Sequence, residues 1–520
     1  MMEAATEQAR VLDFMGRPEA YDPPPARVER IETHASFVFL AGDHAFKVKR
    51  AVKYPFLDFS TLEKRRLACL NELAINRRTA PHLYIEVVPI TCGPCGTFSF
   101  GGEGTATVEW TLIMRRFDQA KLYDRMAAED RLRLGAMAPL GQAIARFHAG
   151  ADRFLASELG TVPLLKVLED NEATFARNEH QCPPEAAHAL AGAAHESLAA
   201  LSPLLKARAL AGFVRHCHGD LHLRNIVEID GAPVLFDAIE FDDSIATVDV
   251  LYDLAFLLMD LGARGLTGHA NAVLNAYLDA DGRTGNLIGL KALPLFLSMR
   301  AMIRAKVELL RAERSAEASD AGARAGAYFD LAVDHLRNRV PRLIAIGGVS
   351  GSGKSSVARG LAPRVGSFPG AVHVRSDIER KRLFGVSADT RLPEEAYTPE
   401  LTEIVYATCR KRAAMMLEGG RTVIVDAVHA RSEERDRIAA VAAEAGVAFA
   451  GLWLQAPRAL LRQRVARREL DVSDATPAVV DRQLAFDIGP QNFVVIDASG
   501  PLEQVTTMCL ARIGEGTPRT

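Results

Sequence analysis

The chain has 520 residues, 48% hydrophobic and 24% charged, and its 62 Lys and Arg against 65 Asp and Glu leave a formal net charge of −3 at pH 7. That length allows more than one buried core, and the near-neutral balance gives no global drive toward nucleic acid. No uninterrupted apolar run approaches the ~20 residues that span a bilayer. The best candidate, 250–261, is broken by Asp253 and Asp260. The amino terminus, MMEAATEQAR, lacks the basic flank and apolar core of a signal peptide, so a cytoplasmic protein without membrane attachment is expected.

Seven scattered cysteines, an odd number, favour free thiols. Cys92 and Cys95 have the spacing of a redox motif or half a zinc site, but they sit in TCGPCGTFSFGGEG without a second pair, which predicts a hairpin turn. Residues 1 to about 30 are Pro-rich and weakly patterned. The run ASFVFLAGDHAFKVKR predicts two strands joined at Gly42-Asp43, with Lys47 and Lys49 on one face of the second. Ser60, with Glu63 three residues later, predicts a capping box opening a helix that carries Glu72 and runs to about Arg78. Two strands follow, from Tyr84 to Ile90 and from Thr105 to Arg115. From Asp118 to about Ala211 the apolar spacing is helical, and His148 at one helix end is expected to pack or cap.

The segment HGDLHLRNIVEIDGAPVLFD, 218–237, predicts a loop carrying His218, Asp220 and Asn225, a strand, a turn at Asp230-Gly231, and a strand ending on Asp237. Phosphoryl transfer needs such a set: one group to take or orient the acceptor hydroxyl's proton, and oxygen ligands for Mg²⁺. A buried helix with Asp249 and Asp253 near its start comes next. Helices at 267 to 337 include Arg300 and Arg304, one turn apart, which the spacing places on a solvated face.

A different unit begins near Pro341. RLIAIGGVSGSGKSSVARGL is an apolar strand running into a P-loop and a helix. Gly348, Ser350, Gly351, Ser352, Gly353 and Ser356 belong to a loop whose backbone N–H groups turn toward phosphates. Lys354 reaches the terminal ones and Ser355 holds Mg²⁺. Strand-like runs AVHVRSD, RTVIVDA, AFAGLWLQA and NFVVIDAS then alternate with helical segments, as in a parallel sheet. Ligand residues belong at the carboxyl ends of such strands, where Asp377 and Asp426 fall. The basic helix LRQRVARREL carries Arg464 and Arg468.

The pattern H-G-D-x-H-x-x-N, with an acid about a dozen residues on, resembles the catalytic segment of aminoglycoside phosphotransferases and related small-molecule kinases. That resemblance implies a two-lobed, protein-kinase-like domain at 1–338, with an N-lobe at about 30–117 and a C-lobe at about 118–338. It implies Asp220 as catalytic residue, Asn225 and Asp237 as metal ligands, and Lys47 or Lys49 pairing with Glu72 at the nucleotide. The local pattern Phe46-Lys47-Val48-Lys49 leans toward Lys49. Asp249 and Asp253 would brace the catalytic loop. The family's I-D-[FW]-E is replaced here by residues 235–242, LFDAIEFD, so spacing favours Asp237 and local pattern leaves Glu240 as a second possible ligand.

Residues 339–520 resemble the P-loop kinases related to polynucleotide kinase, gluconate kinase and zeta-toxin-like enzymes, an α/β domain with a parallel sheet. By that resemblance Asp377 meets the acceptor hydroxyl, Arg380 holds substrate, Asp426 supports Mg²⁺, and Arg464 and Arg468 clamp the transferring phosphate. The whole resembles bacterial fusions of the two kinds, sometimes named as AAA family ATPases. A bifunctional kinase using ATP and Mg²⁺ on small-molecule hydroxyls is expected. Its rivals are a single catalytic unit with a nucleotide-binding partner domain, and a nucleic-acid end kinase, for which no base-stacking aromatic set is found.

Overall fold

The computed structural model describes every residue except 1, 34, 55–56, 103–105, 314–317, 338, 468–472 and 516–520. It is a mixed α/β protein of two compact units. The first comprises Met1–Ala143, Phe147–Pro163 and Ala209–Leu257; the second comprises Ile144–Arg146, Leu164–Arg208 and Leu258–Thr520. This division does not fall at the expected 338/339, because the helices after Leu258 pack with the P-loop region rather than apart from it.

In the first unit, β1 (Val28–Glu32), β2 (Ser36–Ala41), β3 (His44–Lys49), β4 (Tyr84–Cys92), β5 (Phe98–Phe100) and β6 (Ala106–Arg115) form one antiparallel sheet, in the order β1-β2-β3-β6-β4-β5. Gly42, at φ +58°, takes the first central position of the two-residue turn between β2 and β3, where a left-handed conformation is needed. Phe37, Phe39, Phe46, Val48 and Ile90 build the core on one face of this sheet. Val11, Leu12 and Met15 close it from α1 (Met2–Met15), a helix that the weak patterning of the first 30 residues does not signal. Because Phe46 and Val48 enter that core, the period of two turns Lys47 and Lys49 to the opposite face. The Cys92–Cys95 segment is a turn between β4 and β5, and every cysteine is a free thiol.

Helix α2 (Leu62–Asn76) starts one residue later than the capping box implied. Asp58 takes both the N–H and the hydroxyl of Ser60, so Thr61 becomes the cap and accepts from Lys64 N–H; Glu63 pairs instead with Arg66. Further on, β7 (Ile226–Ile229) and β8 (Ala232–Leu235) pair as the expected hairpin, with Asp230 and Gly231 both at positive φ in its turn.

In the second unit, β9 (Arg342–Gly347), β10 (Val372–Arg375), β11 (Val423–Asp426), β12 (Ala448–Gln455) and β13 (Val494–Asp497) form a fully parallel sheet ordered β10-β11-β9-β12-β13. Its core joins Ile344, Ile346, Ile424, Leu452 and Leu454 to Val357 and Leu361 of the helix after the P-loop and to Val505, Cys509 and Ile513 of the last helix. The unit also holds α3 (Thr267–Asp281), α4 (Leu293–Ala312) and α5 (Ala318–Leu336). The helical run Thr284–Ala312 is long and apolar enough to cross a membrane by length and composition, but most of it is buried in protein. Arg300 and Arg304 do not lie on a solvated face. Arg300 is 3% exposed, and Arg304 is largely covered beside Glu308 and the Tyr328 ring, because α5 packs over this side of α4.

Candidate active sites

The first unit encloses a cavity of about 430 Å³ between β1–β3 and the 220–241 segment. Lys47, Lys49, Asp220, Asn225, Asp237 and Glu240 all line it, and Met114, Arg115 and Phe117 at the end of β6 form part of its wall. Its volume is within the range of small-ligand sites.

Glu72 is the hub of the charges. Lys47 Nζ lies 2.6 Å from its Oε1 and Lys49 Nζ 2.6 Å from its Oε2. Burial would raise the Glu72 carboxyl, but the two ammonium groups outweigh it and hold the group below its ordinary value. The lysines differ in their second partner. Lys47 reaches Asp237 at 2.7 Å, whereas Lys49 pairs with Glu240. Lys49 is 2% exposed and Lys47 14%, so Lys47 is the one that presents its ammonium to both the cavity and the acid after β8. Sequence pattern leaned the other way.

Asp220 stands at the mouth of the hairpin. Asn225 Nδ2 donates to its Oδ2 at 2.9 Å and to its backbone oxygen at 3.0 Å, and His222 Nε2 is 3.3 Å away. The loop is fixed from beneath by Asp253, which accepts from the N–H groups of His218 and Gly219 and from His148 Nε2, while Asp249 caps the start of the following helix at Leu251. Both acids and His148 are buried. Burial lowers the pKa of His218, whose Nε2 meets Phe236 O at 3.0 Å. Asp237 sits at φ +58°, and its own N–H donates to Tyr84 Oη. The next N–H, of Ala238, donates to Asn76 Oδ1, while Asn76 Nδ2 holds Glu72 O. Asn76 of α2 and Tyr84 of β4 thus aim the acid. Sequence reasoning missed both, since a lone Tyr in a strand and a lone Asn at a helix end carry no motif. The oxygens of Asn225 and Asp237, with Asp220 beside them, are hard donors of the kind Mg²⁺ takes.

In the second unit the P-loop follows β9 and precedes α6 of the sheet domain. The helices here are α6 (Lys354–Leu361), α7 (Ser376–Leu383), α8 (Pro399–Glu418), α9 (Ser432–Glu444) and α10 (Arg458–Ala466). Two glycines are demanded by close approach: a Cβ on Gly348 would lie 2.5 Å from Leu454 O, and one on Gly351 2.6 Å from Leu461 O. Lys354 Nζ donates to Val349 O across the loop, and Ser350 N–H donates to Gln483 Oε1. Ser355 Oγ donates to Asp426 Oδ2 at 2.5 Å, joining the two residues that the sequence assigned to one metal. His373 Nε2 is 3.4 Å from the same carboxylate oxygen. Burial would raise Asp426, but His373, Lys354 and Ser355 together hold it well below the carboxylate range. A hydroxyl and an ionised carboxylate in contact fit an Mg²⁺ site.

Asp377 starts α7, and its pKa is raised by burial and by the charge of Asp426, against Lys354 and Arg375. Arg380 does not point its guanidinium into open space. It donates to Ala396 O and Thr402 Oγ1 and stacks over the Tyr397 ring. Arg464 is half-buried on α10; Ser352, Gly353 and Ser356 lie in or beside the loop as expected, and Arg468 lies outside the described residues. His373, Gln483 and Tyr397 are neighbours that no motif announced.

Residues 56–287 match the model described as the phosphotransferase enzyme family, and residues 343–487 match the one described as an AAA domain. A Mycobacterium tuberculosis (strain H37Rv) protein, named only as uncharacterized, is 29% identical over 486 residues, 91% of this chain and 93% of that one. A choline/ethanolamine kinase family protein from Mesorhizobium loti covers 63% of this chain and 95% of its own at 17% identity and a TM-score of 0.41. A gluconokinase from Sinorhizobium meliloti 1021 covers 34% and 94% at 23% identity and a TM-score of 0.26. Two family models thus match separate parts of the chain, the phosphotransferase enzyme family over 56–287 and an AAA domain over 343–487.

Proposed function

We propose that the chain is a bifunctional ATP-dependent kinase that transfers γ-phosphoryl groups to hydroxyls of small-molecule acceptors at two separate Mg²⁺-nucleotide sites. One observation carries this reading: each unit gathers, by itself, a lysine, a pair of oxygen ligands and a further carboxylate. In the first unit these are Lys47, Asn225 with Asp237, and Asp220. In the second they are Lys354, Ser355 with Asp426, and Asp377.

In both units the lysine holds the nucleotide's phosphates, and the adjacent oxygens hold Mg²⁺, which neutralises charge on the phosphates when bound. Asp220 and Asp377 each accept or orient the proton of an acceptor hydroxyl. Burial and the charge of Asp426 raise the Asp377 pKa, which makes it a stronger base than an ordinary carboxylate. Glu72 keeps Lys47 in place and charged: burial would lower this lysine's pKa, but Asp237 and Glu72 raise it well above the ordinary value. Glu240, tied to Lys49, serves as a support for the first site or as a second metal ligand. The cytoplasm, which supplies ATP and Mg²⁺, is the compartment this activity requires.

The test is a screen of a small-molecule metabolite extract with γ-labelled ATP. Wild type should label two classes of product, of which Asp220→Asn removes one and Asp377→Asn the other. Products that survive in both single variants and in their combination would refute the assignment. Products lost in one variant only would leave the other unit a nucleotide binder.

A further inference from the structure

The outer edge of the parallel sheet is covered in a way that leads to the P-loop. β10 is an edge strand; Val372 N–H donates to Thr422 O on the β11 side, while His373 N–H and the carbonyl of Ala371 face outward. Such an edge normally needs a partner. Here side-chain amides of α3, in the same compact unit, supply it. Asn271 Nδ2 donates to Ala371 O at 3.0 Å, and Asn275 Nδ2 reaches the same oxygen at 3.3 Å. Asn275 Oδ1 accepts from His373 N–H at 2.7 Å. One turn further, Asp279 O accepts from Arg382 of α7 at 3.0 Å. Residues 271, 275 and 279 are spaced by four, so one face of α3 carries all three.

The strand held this way carries parts of the nucleotide site. The His373 imidazole lies 3.4 Å from Asp426 Oδ2, the oxygen that accepts the Ser355 hydroxyl. Asp377 follows two residues after the strand's end. Contacts therefore run from Asn275 through the backbone of residue 373 to its imidazole, which lies against Asp426 at 3.4 Å without a hydrogen bond, and from Asp426 to Ser355. Metal-ligand sets need support to about 0.5 Å, and neighbours that orient the ligands supply it.

We propose that α3, which lies outside the P-loop domain in sequence, is a working part of the P-loop site, with Asn275 as a positioning residue for its Mg²⁺ ligands. Asn271 shares the load on the strand. The inference rests on the reading of this loop as a Mg²⁺-nucleotide site, and adds that the site is completed by a helix from the preceding domain.

The experiment uses the full chain in a Lys47→Ala background, so that binding reports the P-loop site, and titrates the fluorescent nucleotide mant-ATP with Mg²⁺ and with EDTA. Asn275→Leu should raise Kd in Mg²⁺ by about tenfold, the usual lower scale for losing such a support, while Kd in EDTA stays within about twofold. Asn275→Gln keeps an amide that can accept from His373 N–H and donate to Ala371 O, and should keep the wild-type Mg²⁺ response. If the leucine variant does not fold, Asn275→Ala, which admits water to that N–H, is read in the same way. Equal Kd shifts with Mg²⁺ and EDTA, or none, would overturn the proposal even if the melting temperature fell. A parent chain that binds no mant-ATP would instead overturn the nucleotide-site reading beneath it.

Discussion

Two lysines two residues apart share one glutamate, and their surroundings separate their roles. Lys49 is enclosed with Glu72 and Glu240, so Lys49→Ala leaves two buried carboxylates short of a partner. Breaking such a group costs about 3–5 kcal/mol. Lys47 faces the cavity and Asp237, so Lys47→Ala should chiefly weaken nucleotide binding at the first site. Urea unfolding and nucleotide titration on each variant check this; a nucleotide defect confined to Lys49→Ala would reverse the assignment. In the second unit, burial depresses the His335 imidazole from 6.5 to about 4, with Arg421 opposing its protonation and Asp334 favouring it. Between those values the unfolded chain binds a proton that the folded chain excludes. Stability therefore falls as pH drops from about 6.5 to 4, by up to about 1.4 kcal/mol per pH unit from this group. His335→Phe, which can keep the ring against Phe368, should flatten that part of the pH profile of denaturant unfolding. An unchanged slope would show that His335 does not carry it.

Helix α3 and strand β10 make the expected boundary at 338/339 a poor place to cut. A fragment of 339–520 loses Asn271 and Asn275 and bares the edge of the sheet, together with Phe368, against which Gly262 and His335 otherwise pack. It should melt at lower temperature than the same sheet in the full chain and aggregate more readily, by differential scanning calorimetry and light scattering. A fragment as stable as its parent would contradict this packing. The elements themselves were legible where a local rule decides them. The β2–β3 and β7–β8 hairpins follow from Gly42-Asp43 and Asp230-Gly231 between alternating strands, and the P-loop from glycines placed between a strand and a helix. Helix α1 was not legible, because Val11, Leu12 and Met15 find their core only against a sheet formed later in the chain. The same holds for Asn76, Tyr84 and His373. Each acts through a backbone group or one oxygen of a distant residue, and no spacing records such a partner. The donors of Arg380 meet the carbonyl of Ala396 and the hydroxyl of Thr402, partners that its place after Asp377 does not announce.

For the whole molecule, the two candidate sites gather the same kinds of side chain on different architectures. One is set between an antiparallel sheet and a hairpin, the other at the carboxyl ends of parallel strands. The residues that would meet phosphate and metal say nothing of the pocket that selects a hydroxyl. The proposed function requires two independent nucleotide sites on one chain. The direct measurement is the stoichiometry of Mg²⁺-ATP binding by isothermal titration calorimetry on the full chain. Wild type should bind two equivalents, Lys47→Ala and Lys354→Ala one each, and the double variant none. A single equivalent in wild type, abolished by one of the two substitutions and untouched by the other, would contradict it.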